Sequence, residues 1–100
     1  MTSEQKVEQM LDDMSVAFSD SDIKASPELR DIIFNYAKEL DSKRDYHLIA
    51  SKLVKRFVMY YWETNKELPP AAIRLHNQVK PYATRYDGIA ISTMLLPTWF

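Results

Sequence analysis

Apolar residues recur along this chain at helical rather than strand spacing. Val7, Met10, Leu11, Met14 and Phe18 advance by three, one, three and four positions, drawing one stripe along a helix. The stripe predicts a first helix over 4–19, with Thr2 or Ser3 as its cap and Gln5 completing a capping box with Thr2. The polar run Ser19-Asp20-Ser21-Asp22 is expected to end it, because short polar side chains compete for the backbone. Ser26-Pro27-Glu28 then offers an N-cap, a first-turn proline and an acid at the positive end of the helix dipole. Leu29, Ile32, Ile33, Tyr36, Ala37 and Leu40 repeat the stripe and predict a second helix over 27–41.

A third helix is predicted over 46–64. Tyr46, Ile49, Ala50, Leu53, Phe57, Tyr60 and Tyr61 form its main face, and Val54, Val58 and Trp62 widen it. A stripe this wide marks the best-buried element. The fourth helix, over 70–86, starts at Pro69-Pro70 and carries Ala72, Leu75, Val79, Tyr82 and Tyr86; Pro81 should bend or end it within a turn. Asp87-Gly88 is a turn signal, and the segment 89–100 fits a short helix, an extended run, or one then the other. The short links predict an all-α, antiparallel four-helix bundle in up-down-up-down order, one domain over 1–100 with an apolar C-terminal tail. Its expected core is Met10, Leu11, Met14, Phe18, Leu29, Ile32, Ile33, Tyr36, Leu53, Phe57, Tyr60, Leu75 and Val79.

Composition narrows the chemistry. The absence of cysteine removes disulfides, thiolate metal sites and a cysteine nucleophile, and a single glycine excludes Gly-rich phosphate loops. Net charge is −1, but residues 1–45 hold six Lys/Arg against eleven Asp/Glu and residues 46–100 hold seven against three. Such polarity fits two faces with different partners, or two halves that attract each other. No basic n-region precedes an apolar run, and the apolar stretch 89–100 falls short of the ~20 residues that cross a bilayer, so a cytoplasmic location is expected.

Candidate constellations are sparse. His47 and His76 have no second imidazole at ligand spacing and read as surface or partly buried side chains, so no metal or other cofactor is expected. The acids Asp12-Asp13 and Asp20-Ser21-Asp22 read as solvated; no apolar pocket raises a carboxyl for acid–base work, and an enzyme is not expected. Lys52, Lys55 and Arg56, followed by Tyr60-Tyr61-Trp62, have the makings of a nucleic-acid surface, but the aromatics lie on the packing stripe and three cations are few for duplex binding. Nucleic acid is not expected as a partner. The tail stands apart, with Ile89, Ile91, Met94, Leu95, Leu96, Trp99 and Phe100. Internal docking and recognition of a partner or membrane interface both account for it.

The stretch Leu48-Ile49-Ala50-Ser51-Lys52-Leu53-Val54-Lys55-Arg56-Phe57, then Tyr60-Tyr61-Trp62 and Thr64-Asn65-Lys66, resembles the third helix of immunity proteins for pediocin-like (class IIa) bacteriocins, the enterocin A immunity group above all. Leu68-Pro69 to Val79 continues the resemblance as a fourth helix. The resemblance implies a cytoplasmic bundle, monomeric or weakly associating, that protects a Gram-positive cell from a membrane-permeabilising peptide. The implied partner is the membrane permease of the mannose phosphotransferase type in complex with bacteriocin, approached from the cytoplasmic side. A small helical DNA-associated regulator or a generic protein-interaction module is the alternative.

Expected partner contacts rest on chemistry in the C-terminal half, which the family implies for recognition: Lys80, Tyr82, Arg85, Tyr86, Ile91, Met94, Leu95, Trp99 and Phe100. Lys80 and Arg85 would attract anionic lipid at the inner face of the membrane, each by about 1 kcal/mol close to the surface. Trp99 and Phe100 would anchor in a groove or at headgroup level.

Overall fold

A computed structural model describes residues 2–64 and 67–83. These form five α-helices: α1 (Ser3–Phe18), α2 (Ser21–Lys24), α3 (Pro27–Lys43), α4 (Tyr46–Thr64) and α5 (Pro70–Val79), then a 3-10 turn over Lys80–Tyr82. The chain is all-α over the described residues.

The helix starts follow the cap chemistry. Thr2 and Gln5 form the reciprocal box: the Gln5 amide donates to Thr2 Oγ1 at 3.2 Å and the Thr2 amide to Gln5 Oε1 at 2.9 Å. Ser26 caps α3 with a long contact of 3.5 Å from the Leu29 amide, and Pro27 opens its first turn. Asp45 caps α4, accepting from the Leu48 amide at 3.1 Å. The end of α3 lies beyond the expected position 41. Glu39 and Lys43 pair one turn apart at 3.0 Å, and the helix closes at Lys43 because Arg44 turns left-handed (φ 58). A non-glycine residue in that region is strained, and Arg44 is held there by its guanidinium, which reaches Glu8 of α1 at 2.8 Å and Asp41 at 3.3 Å.

Two expectations need correction. The polar run after the first helix does not simply terminate it: Asp20 accepts from the Asp22 amide at 2.9 Å and starts α2, whose Ile23 is fully buried. The competition that ends one helix caps the next. The last helix does not reach 86. Pro81 lacks the N–H that an α-helix would direct to the Asn77 carbonyl, so α5 ends at Val79, and Ala83 is already extended (φ −67, ψ 146).

The core is continuous across all five helices. Met10 and Met14 of α1, Ile33 and Leu40 of α3, Ile49, Leu53 and Phe57 of α4 and Leu75 and Val79 of α5 are sealed from solvent, joined by Ala17, Ile23, Leu68, Ala71 and Ala72. Leu11, Phe18 and Tyr36, expected inside, are half-buried at its margin. Helix α4 touches α1, α3, α5 and the 3-10 turn, which explains its wide apolar stripe. Trp62, on that stripe by spacing, is 44% exposed.

Candidate functional site

A specific set of restraints gathers at the 3-10 turn that follows α5. Pro81 sets the turn by ending α5, and the Ala83 amide closes it on the Lys80 carbonyl at 3.0 Å. The start of α4 then grips it. His47 Nδ1 lies 2.7 Å from the Tyr82 carbonyl oxygen, and the Tyr46 and Tyr82 rings meet edge to face with centroids 5.5 Å apart. Lys6 of α1 places its ammonium 5.4 Å from the centroid of the Tyr46 ring. Residues from α1, α4 and the 3-10 turn, distant in sequence, thus form one chain of contacts that ends at Tyr82.

The expected partner contacts divide at this point. Lys80 is exposed and Tyr82 half-buried against Tyr46. Arg85, Tyr86, Ile91, Met94, Leu95, Trp99 and Phe100 lie outside the described residues. The meeting of Tyr46 and His47 with Tyr82 was not foreseeable, since helical spacing carries no signal for a contact 35 residues apart.

His76 corrects another expectation. It is fully buried on α5, where burial pushes its imidazole below the ordinary value while an Nδ1 contact of 3.2 Å to Asn77 opposes that push. Its position was readable: Ala72, Leu75, His76 and Val79 follow the i, i+3, i+4, i+7 pattern of a buried face.

Cations that suggested a nucleic-acid face are engaged by carboxylates. Lys52 binds Glu39 across α3 and α4 at 2.7 Å, and Arg56 binds Glu63 at 3.2 Å. Hydrogen bonds from Lys52 and then Lys43 hold the Glu39 carboxyl below its usual range, and Glu39 in turn raises Lys52. The acids of α1 are likewise used: Glu8 and Glu4 receive Arg44, and Gln9 donates to Asp13 at 3.1 Å. Between α1 and α3 lies an apolar groove of about 320 Å³, lined by Leu11, Met14, Phe18, Ile33 and a half-exposed Phe34. Among the described residues no three His, Asp or Glu side chains come together to hold a metal ion, and no helix is long and apolar enough to cross a membrane.

Neither a curated protein nor a solved structure matches the chain significantly. The bacteriocin immunity protein family, which is not an enzyme family, matches residues 5–84. The match runs from the first turn of α1 to two residues past the 3-10 turn, taking in every described helix and the contacts on Tyr82. Covering four-fifths of the sequence, it makes this chain a member of the bacteriocin immunity protein family, of the enterocin A immunity type.

Proposed function

We propose that this protein protects its cell by binding the mannose-type permease together with a class IIa bacteriocin, from the cytoplasmic side, so that no pore stays open. The observation that carries the reading is the family match over residues 5–84. The match stops short of the apolar segment 89–100, which suits a shared scaffold bearing a recognition element of its own. In this reading the four long helices form an antiparallel up-down-up-down bundle, favoured by the two-residue link between Lys43 and Tyr46. The protein acts as a cytoplasmic monomer with peripheral contact at the inner face of the membrane.

Blocking a permease needs no chemistry. It needs higher affinity for the blocked state than for the open one. Large aromatic side chains supply most of the energy in such contacts, which makes Trp99 and Phe100 the main anchors, with Ile91, Met94 and Leu95 beside them. Lys80, Arg85, Tyr82 and Tyr86 form the approach, the two cations facing anionic headgroups. The test is affinity capture of the tagged full chain from a sensitive Gram-positive strain. The membrane component of the permease should co-purify when a bacteriocin that the chain protects against is added, and far less without it. Recovery independent of bacteriocin, or no recovery at all, contradicts the proposal.

A further inference from the structure

We infer that His47, seconded by Tyr46, is a positioning residue for immunity: it fixes the peptide at Tyr82, through which the C-terminal segment is joined to the helices. The inference rests on the reading above, in which that segment recognises the receptor complex.

The geometry is specific. A carbonyl oxygen can only accept, so the 2.7 Å contact to Tyr82 requires the proton on His47 Nδ1, a state met by one neutral tautomer and by the imidazolium. The bond holds a main-chain group rather than a side chain, so it sets the orientation of the peptide that leads into Ala83. The ring of the same residue is held by Tyr46 at 5.5 Å, and Tyr46 is braced by Lys6 at 5.4 Å. Backbone and side chain of Tyr82 are thus held by neighbouring residues of a helix whose next turn, at Ile49 and Ala50, is sealed in the core.

The turn needs such help. Pro81 has removed the hydrogen bond that would have carried α5 onward, and the Lys80–Ala83 bond closes the turn within itself without tying it to another element. At Ala83 the backbone is extended, a conformation that carries no repeating hydrogen bonds of its own.

His47 is exposed, so its bond exchanges with bonds to water and adds little to global stability. Its effect on recognition is different in kind. If releasing Tyr82 lowers the population of the correctly aimed segment to about one-tenth, apparent affinity falls by about the same factor.

The test expresses full-length variants in a sensitive strain and measures the inhibitory concentration of a class IIa bacteriocin against which the unaltered chain protects. His47→Ala should reduce protection about tenfold while the purified protein melts within about 4 °C of the parent. His47→Asn should restore protection, because the amide nitrogen of Asn stands where Nδ1 stood and donates in the same direction. Ile23→Val, in the core at α2, serves as a control of comparable or greater destabilisation that leaves the turn untouched. Unchanged protection in His47→Ala, no rescue by His47→Asn, or an equal loss in Ile23→Val overturns the inference. A chain ending at residue 84 is run beside them. If it protects fully, the recognition role of the segment fails; if it loses protection while His47→Ala keeps it, only the positioning role fails.

Discussion

Burial of an imidazole favours its neutral form, and on α5 that principle acts on His76 with nothing strong enough to cancel it. Desolvation lowers its pKa from the ordinary 6.5, the Asn77 contact pulls the other way, and the charge of Lys80 adds to the lowering. The folded state therefore binds fewer protons than the unfolded one in acid, and stability must fall as pH falls. The contribution is whole above pH 6.5 and is lost as pH drops from there through the depressed value. The Glu39 carboxyl, also lowered, adds a loss of the same sign, but only from its ordinary 4.5 downward. Urea melts at pH 7 and pH 5.5 separate the two groups. The parent should lose stability across that interval, and His76→Leu, which removes the titration at similar volume, should lose less. Equal losses in both proteins would show that burial does not hold the His76 pKa below its unfolded value.

The helices differ in how much each commits to packing, and α4 commits most. Leu53 is sealed at its centre while Trp62, about two and a half turns nearer its end, is 44% exposed. Leu53→Ala should cost about 2–5 kcal/mol by denaturant unfolding, because a cavity is left where neighbours from several helices meet. Trp62→Ala should stay near about 1 kcal/mol, the range of half-exposed positions; a larger cost for Trp62 than for Leu53 would mean that α4 is rotated from its described face. At this scale the sequence was largely legible. Helical spacing located the four long helices, and the Thr2–Gln5 box and the Ser26-Pro27 start appear as read. Short elements were not legible, since the single turn of α2 is too brief for a period and Asp20 reads equally well as a stop and as a cap. Arg44 was invisible for a related reason: left-handed caps usually announce themselves as Gly or Asn, and this one is held by ion pairs to α1 and to Asp41 instead.

Across the molecule, the described helices share one core, and Tyr82, near the start of the C-terminal segment, is held by His47 and Tyr46. Composition alone pointed to the segment, because its run of Ile, Leu, Met, Trp and Phe exceeds what a terminus needs. The grip itself could not be read beforehand, as it joins residues 35 positions apart through a backbone carbonyl that no side-chain pattern reports. The immunity function belongs to the family; its division between scaffold and segment is what we propose. That division is tested most directly by comparing the full chain with one ending at residue 84, scoring both the melting temperature of the purified proteins and the protection each gives sensitive cells against a class IIa bacteriocin. The shortened chain should melt cooperatively near the full-length value and protect no cells. Full protection by the shortened chain would contradict a recognition role for the segment, and outright unfolding would instead make the segment part of the core.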